Sequence, residues 1–180
     1  GRIFAAAVDA AAIKGGSSNQ PTGILATSGI GDVSSGGTSG NTALTYGNCV
    51  DIWSEVAADN ALVGSLSWVT HPRVVGKLMQ TVVASSTDSR MIMMSPDELL
   101  GYRVVQTTQV PGSGNGSSTP YSLWFGNFSD LIIGFWSALD VLVDPYGSAG
   151  TASTNIYFYQ DLDVAVAHAE SFAAAQDVTV

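Results

Sequence analysis

The stretch NIYFYQDLDVAV, residues 155–166, alternates between two kinds of side chain. One set is apolar and comprises Ile156, Phe158, Leu162, Val164 and Val166, whereas the other comprises Tyr157, Tyr159, Asp161 and Asp163. Such a period of two predicts a β-strand. Because a strand rises about 3.3 Å per residue, this one would span roughly 36 Å, about twice a typical strand. We therefore expect it to run into an extended sheet that meets neighbouring molecules.

Shorter apolar runs elsewhere in the chain predict further strands. They lie at residues 66–70, 102–105, 122–125, 131–134 and 139–143. Residues 96–99, which begin with proline, are expected to make one helical turn. Polar or glycine-rich stretches at residues 28–40 and 85–90 are interpreted as loops.

Three stretches carry apolar residues at the three-and-four spacing of a helix face. The first face comprises Ile3, Phe4, Ala7, Val8 and Ala11, and the second comprises Cys49, Ile52, Trp53, Val56 and Ala57. The third helix begins at Pro72, and its face comprises Val75, Leu78, Met79 and Val82. Thr45 or Asn48 is expected to cap the second helix, and Lys14-Gly15-Gly16 to end the first. This combination of predicted helices and strands indicates an α+β fold in which helices pack on a layered sheet.

The composition favours a protein that covers much of its surface with other subunits. Charged residues make up only 12% of the 180 residues, about half the usual share, while apolar residues make up 46%. Six Lys plus Arg stand against fifteen Asp plus Glu, so few cations are available to neutralise phosphate groups. A protein that reads nucleic acid is therefore not expected, although an acidic wall that merely encloses DNA is compatible with this balance.

Cysteine usage and hydropathy exclude a protein stabilised by disulfides or by a cysteine-based zinc site, and one with a membrane-spanning helix. Cys49 is the only cysteine, so neither an intrachain disulfide nor a cysteine-based zinc site can form. No apolar run reaches the roughly 20 residues that a membrane-spanning helix needs. The chain begins inside a helical pattern without a signal-peptide layout, from which we expect that an upstream segment has been removed.

Side chains suited to catalysis are few. His71 precedes the proline of the third helix, where it would be a poor cap, and His168 follows the long strand. The serine-hydrolase motif G-x-S-x-G is absent. Asp161 and Asp163 share a strand face, but a metal would recruit more ligands than Asp144 and His168 nearby. We therefore expect no enzyme activity, no cofactor and no metal site.

Four stretches, taken in order, resemble the major capsid proteins of tailed bacteriophages with the HK97 fold. They are DAAAIKGGSSNQPTGIL at residues 9–25, WVTHPRVVGKL at 68–78, LLGYRVVQTTQVP at 99–111 and FGNFSDLIIGFWSALDVLVDP at 125–145. The last is the most specific and is similar to the family's return strand into the peripheral domain. The chain departs from the family pattern at His71, where Asn is usual, and at Arg103, where Pro is frequent. Gln160 and Asp161 replace a commonly basic stretch.

The resemblance implies an HK97-like capsid fold, with an axial domain in which helices flank a sheet and the β part of a peripheral domain. Residues 1–24 would form the peripheral-domain helix and the entry to the axial domain. Residues 25–125 would form the axial domain, and residues 126–180 the return strands, the peripheral-domain sheet and the C-terminal segment. The N-terminal arm, the extended loop and the spine helix of the family have no counterpart here, so the chain alone is expected not to build a closed shell.

The resemblance also implies a structural subunit of an icosahedral phage head, assembled from hexamers and pentamers in the bacterial host cytoplasm. Expected partners are copies of the chain, enclosed double-stranded DNA without sequence-specific contact, and scaffolding, portal or decoration proteins, with no membrane. Expected interface residues are Ser85, Asp88 and Arg90 near the ring axis, and Tyr157, Tyr159 and Asp161 on the long strand. Some relatives crosslink a lysine to an asparagine of that strand; Asn155 is the matching position, with Asp161 as the acidic helper.

Three alternatives are left open. An encapsulin-type protein cage shares the fold but would need a cargo-docking surface. A secreted adhesin or glycan-binding domain fits the Ser, Thr and Gly richness and the glycosylation tripeptides at Asn115 and Asn127, and should contain short strands without a long helix. A hydrolase would need a pocket that joins a serine, His168 and an aspartate.

Overall fold

The computed structural model describes residues 2–15, 20–33, 42–84, 88–110, 121–147, 150 and 153–180. Its helices are α1 (Arg2–Ile13), α2 (Tyr46–Ala58) and α3 (Pro72–Leu78). Its strands are β1 (Gly31–Asp32), β2 (Thr42–Ala43), β3 (Leu66–Thr70), β4 (Val82–Ala84), β5 (Asp88–Met91), β6 (Glu98–Leu99), β7 (Tyr102–Gln106), β8 (Tyr121–Asn127), β9 (Leu131–Phe135), β10 (Asp140–Asp144), β11 (Asn155–Tyr159), β12 (Leu162–Val166) and β13 (Phe172–Thr179). Most of the loop predicted at residues 28–40 lies outside the described residues.

Seven strands form a central mixed sheet in the order β1-β13-β8-β3-β7-β6, with β2 also paired to β13. β8 has two antiparallel neighbours, β3 and β13, whereas β3 and β7 run parallel. All residues of β8 from Ser122 to Asn127 are buried, as expected for a strand covered on both faces. Trp68 of β3 packs on Phe125 of β8 with ring centroids 4.7 Å apart.

Helices cover the two faces of this sheet. On one face α2 and α3 contribute Ile52, Val56 and Leu78 to a core that includes Phe125. On the other face Ile13 of α1 packs in a second core with Trp124 and Phe172. Because successive side chains of a strand point to opposite faces, the neighbours Trp124 and Phe125 belong to different cores. The predicted α+β architecture is confirmed.

Side chains cap the starts of both α2 and α3. Thr45 Oγ1 accepts the backbone N–H of Asn48 at 3.3 Å, and Asn48 Oδ1 accepts the N–H of Thr45 at 3.0 Å, so both candidates cap α2 together. His71 was expected to cap poorly, but its Nδ1 accepts the N–H of Arg73 at 3.2 Å. Pro72 follows as the first residue of α3.

The predictions around α3 and the hairpin that follows were partly wrong. α3 ends at Leu78, so Met79 lies beyond the helix and Val82 belongs to β4. Val82 pairs with Met91 of β5, so the chain leaves the helix in order to form a β4–β5 hairpin. Residues 88–90, predicted as loop, are therefore strand, while residues 85–87 lie outside the described residues.

Residues 96–99 do not form the expected helical turn. Glu98 pairs with Arg103 and Leu99 with Tyr102 in a tight β6–β7 hairpin. Its two turn residues, Leu100 and Gly101, have φ of 51° and 81°. Two positive φ angles are typical of a two-residue hairpin turn, which competes successfully with a single helical turn here.

The predicted long strand at residues 155–166 is in fact two strands. β11 pairs with β10, and β12 pairs with β9, both antiparallel. Between the two ladders residues 136–139 lie opposite residues 160–161. Trp136 donates its N–H to Asp161 O at 3.0 Å, and Asp161 donates its N–H to Ser137 Oγ at 3.0 Å.

The four strands thus form one antiparallel ribbon with a bulge, hereafter the arm (residues 131–144 and 155–166). Among the described residues, its strands pair only with one another. The extended sheet expected from the sequence is therefore replaced by a two-stranded ribbon.

Candidate assembly surface

One face of the distal arm, formed by β10 and β11, is entirely apolar. Val141 lies opposite Phe158 and Val143 opposite Ile156, and alternation places all four on the same face, hereafter the apolar face. Their side chains are between 53% and 56% exposed. An isolated two-stranded ribbon is only marginally stable in water, so an uncovered apolar face of this kind is a candidate contact surface.

The opposite face of β10 and β11 is aromatic and acidic. Its residues, hereafter the tyrosine face, are Asp140, Leu142, Asp144, Asn155, Tyr157 and Tyr159. The rings of Tyr157 and Tyr159 stack with centroids 6.3 Å apart, and the two side chains are 43% and 55% exposed. Two of the interface residues expected from the sequence therefore lie side by side on one uncovered surface.

Asp144 shapes the tip of the arm. Its Oδ1 accepts the backbone N–H groups of Tyr146 at 2.9 Å and Gly147 at 3.0 Å. Asn155 lies opposite Asp144 in the ladder. Asp161 follows the other end of β11, roughly 20 Å away along the strand. The structure therefore does not bring Asn155 and its expected helper Asp161 together; the carboxylate that faces Asn155 across the ladder is Asp144.

A groove separates α1 from the bulge of the arm. Its volume is about 640 Å³, and its lining includes Phe4 and Val8 of α1 together with Trp136, Asp161 and Asp163 of the arm. Trp136 is 72% exposed at the edge of this groove. Asp161, a third interface residue expected from the sequence, thus lies beside an exposed tryptophan, a residue type enriched in protein interfaces.

Polar side chains, of which Asn127 and Ser171 are buried, hold the root of the arm, where β8 ends and β9 begins. Asp130 Oδ2 accepts Asn127 Nδ2 at 3.0 Å and Ser171 Oγ at 2.6 Å. Asn127 Oδ1 accepts the N–H groups of Ser65 at 3.0 Å and Ser129 at 3.1 Å. These five residues, hereafter the root cluster, connect β8, the arm and the turn that leads into β13. Their mutual hydrogen bonds satisfy polar groups that burial would otherwise leave unpaired.

Two of the other interface residues expected from the sequence, Asp88 and Arg90, lie in β5. Ser85 lies outside the described residues. Asp88 pairs with Ala84, and Arg90 is exposed two residues further along β5. The neighbouring Met91 and Met94 are 40% and 83% exposed, so β5 and the segment that follows it also present apolar surface.

Charge is distributed unevenly along the chain. Every Lys and Arg lies in the first 103 residues, at Arg2, Lys14, Arg73, Lys77, Arg90 and Arg103. Residues 104–180 carry only acidic charges, at Asp130, Asp140, Asp144, Asp161, Asp163, Glu170 and Asp177. The arm is therefore an apolar and acidic element without a formal positive charge.

Cys49 and His71 belong to residue types suited to catalysis, but in this structure Cys49 is part of the core and His71 caps a helix. Cys49 is buried in the core, and burial raises the pKa of its thiol to about 12, which keeps it protonated and a poor nucleophile. Burial and, secondarily, the nearby Arg73 lower the pKa of His71, the cap of α3.

In the described part of the chain, no three His, Cys, Asp or Glu residues are grouped to hold a metal ion. The described helices are all too short or too polar to cross a membrane.

A helix-flanked mixed sheet that carries a long two-stranded arm is an HK97-like capsid fold, and solved structures with this fold are similar to the chain. The capsid of a native GTA particle has a TM-score of 0.70 and 21% identity, over 99% of this chain and 63% of that chain. The structure from Gordonia phage Cozz has a TM-score of 0.63 and 19% identity, over 98% of this chain and 60% of that chain. The holo-SrpI encapsulin complex from Synechococcus elongatus PCC 7942 has a TM-score of 0.59 and 13% identity, over 98% of this chain and 62% of that chain. The chain thus spans about three-fifths of the length of these proteins.

The sequence itself defines the family. A sequence model of the phage capsid family matches residues 1–177, and the chain belongs to this family. No curated protein matches the sequence. The fold expected from the resemblance is confirmed, whereas the domain boundaries and the interface residues stay predictions.

Proposed function

We propose that this protein is a structural subunit of an icosahedral phage head that self-assembles into hexamers and pentamers around double-stranded DNA. The observation that carries the proposal is the distal arm, which exposes apolar or aromatic side chains on both faces. Large exposed apolar surfaces are rare on monomers and mark sites of association. Membership of the phage capsid family supports a structural role in a virion rather than an enzymatic one.

Two parts of the chain would contact different neighbours. Ser85, Asp88 and Arg90 would face the ring axis, within an axial domain of residues 25–125. Residues 126–180, with Tyr157 and Tyr159 on the arm, would meet adjacent subunits together with the helix of residues 1–24. Head-to-tail contacts of this kind close into rings when the rotation between subunits allows it.

The remaining partners follow from charge and family. A formal net charge of −9 disfavours tight binding to phosphate, so DNA would be enclosed without sequence-specific contact. Scaffolding, portal or decoration proteins are further partners, and assembly would take place in the bacterial host cytoplasm without a membrane.

Mass photometry and electron microscopy of the full-length protein test the proposal, because the 180-residue chain alone is expected not to build a closed shell. We expect rings of five and six subunits together with closed shells. A protein that stays monomeric over a wide concentration range contradicts the proposal.

An encapsulin-type cage is a second candidate, supported by the fold similarity to the holo-SrpI encapsulin complex. The contents of purified particles separate the two functions. Nuclease-protected double-stranded DNA is expected for a phage head, whereas particles that hold a folded protein cargo and no DNA favour the cage.

Two observations count against the adhesin alternative. α1 and α2 have 12 and 13 residues, which is contrary to a domain of short strands alone. Asn127 is 3% exposed and hydrogen-bonded to Asp130, so it is not available for glycosylation in the folded chain. Asn115 lies outside the described residues.

A crosslink at Asn155 is a separate proposal. The amine of a lysine from an extended loop would replace the side-chain amide nitrogen of Asn155, forming an isopeptide bond and releasing ammonia. We expect covalent ladders on denaturing gels of assembled particles, and their loss in Asn155→Ala but not in Gln80→Ala. Covalent oligomers that persist in Asn155→Ala contradict the assignment.

A further inference from the structure

The tyrosine face combines the groups that recognise a cation. Tyr157 and Tyr159 present stacked, half-exposed rings, and Asp140 lies directly opposite Tyr159 in the ladder. An Arg or Lys head over an aromatic ring is attracted to the ring electrons, and a carboxylate beside it adds a charge-assisted hydrogen bond. Asp144 already uses Oδ1 to accept two backbone N–H groups, whereas Asp140 is exposed. Asp140 is therefore the carboxylate of this face best placed to bind a cation.

The distribution of charge restricts which surface can supply that cation. No Lys or Arg follows Arg103 in the sequence, so the arm cannot supply one. Two tyrosine faces placed against each other would bring Asp140 and Asp144 of both copies together, and like charges across an interface oppose association. Within residues 1–180 of another copy, a cationic partner surface must therefore lie among the first 103 residues.

We propose that the tyrosine face binds a Lys- or Arg-bearing surface within residues 1–103 of a second copy of this chain. This inference rests on the proposed function, in which the arm meets adjacent subunits. The contact joins two different surfaces, so it is heterologous and can propagate around a ring or across a shell. It is also electrostatic in part, so salt should weaken it.

The first experiment measures self-association of the intact protein by sedimentation velocity over a range of salt concentrations. We expect wild-type association to weaken as salt rises, and Asp140→Lys to raise the dissociation constant by roughly tenfold or more at low salt. Asp140→Asn should raise it less. Glu170→Lys makes the same change in net charge at an exposed position outside both the tyrosine face and residues 1–103, and should associate as the wild type does.

The second experiment identifies the partner surface by charge complementation. Each of the six cations is changed to Glu in turn, and each variant is mixed with Asp140→Lys. One reversal should weaken association alone and restore it in the mixture. Circular dichroism melts confirm that the variants are folded.

The outcomes are distinct. Normal association of Asp140→Lys overturns the inference, whether the tyrosine face is then free or covered by a protein of another kind. Failure of every reversal to restore association also overturns it. A wild-type protein that never associates contradicts the proposed function itself, so the two failures can be told apart.

Discussion

Asn127 donates a hydrogen bond from Nδ2 to Asp130 Oδ2 at 3.0 Å, at the point where β8 of the central sheet ends and the arm begins. Ser171, immediately before β13, donates to the same oxygen at 2.6 Å. The backbone N–H of Ala167 donates to the carbonyl of Asp130 at 2.8 Å. Asp130 therefore links both strands of the arm base to two adjacent strands of the central sheet, and fixes the direction in which the arm leaves the sheet.

Removal of the Asp130 carboxylate should loosen the arm. Asp130→Ala leaves the donors of Asn127 and Ser171 without their acceptor, and each residue is at most 5% exposed. We expect the free energy of unfolding to fall by about 1–3 kcal/mol in urea titrations. Hydrogen exchange should also rise in the arm more than in β8. Asp140→Ala, at an exposed position, should stay within about 0.5 kcal/mol of the wild type; equal effects of the two variants would contradict the role of Asp130.

Two glycines provide a matched pair of substitutions. Gly64 has φ of 78°, and a Cβ there would lie 2.6 Å from Asn127 Oδ1 and 2.8 Å from Ser129 Oγ. Gly64→Ala should therefore lower the free energy of unfolding by about 2 kcal/mol or more. Gly76 lies in α3 with open space around it, so Gly76→Ala should stabilise by roughly 0.5–1 kcal/mol. Thermal unfolding of both variants checks the opposite signs, and a shift of the same sign in both would refute this account of Gly64.

The His71 cap predicts a dependence of stability on pH. Burial, and secondarily Arg73, lower the pKa of His71 below its ordinary value of 6.5, so the unfolded chain binds the proton more readily. The stability from this group is complete above pH about 6.5 and is lost as pH falls towards the lowered pKa. Protonation also removes the Nδ1 acceptor for the N–H of Arg73. His71→Asn keeps a cap without the titration, so its melting temperature should fall less between pH 7 and pH 5; an identical fall would count against this explanation.

Cys49 should behave as an inert core residue. Its side chain is 0% exposed, and burial raises the pKa of its thiol to about 12. A thiol-specific aromatic disulfide reagent should therefore react with the native protein only as fast as the core opens, and at once in denaturant. Rapid reaction of the native protein would contradict the packing of α2 on the sheet.

The parts of the fold that short-range signals define could be predicted from the sequence. Thr45 and Asn48 identify the start of α2, Pro72 identifies the start of α3, and the run at residues 66–70 coincides with β3. Each signal acts within a few residues, through a cap, a fixed φ angle or an uninterrupted apolar run. These features therefore do not depend on what lies elsewhere in the chain.

Pairing between distant segments could not be predicted in this way. Gln160 is a single polar residue in the apolar set of its strand, which is compatible with a continuous strand. The bulge becomes visible only with the longer opposite segment, residues 136–139. The Phe-Ala-Ala-Ala run that opens β13 has no alternation because both of its faces are buried in the sheet.

The candidate site was predicted only in part. Tyr157 and Tyr159 were assigned to one face and Phe158 to the other, which the register confirms. The sequence alone could not show that Val141 and Val143 share the apolar face, because that depends on the pairing register of β10 and β11. Their position in an uncovered strand extends the candidate assembly surface beyond the residues expected from the sequence.

The central claim is that the arm is covered by other subunits on assembly. Hydroxyl-radical footprinting, read by mass spectrometry, compares side-chain oxidation in assembled particles and in dissociated subunits, with the buried Trp68 as the unchanged reference. The account predicts strong protection of Tyr157, Phe158 and Tyr159 in the particles. Equal oxidation of these three side chains in particles and in free subunits would contradict it.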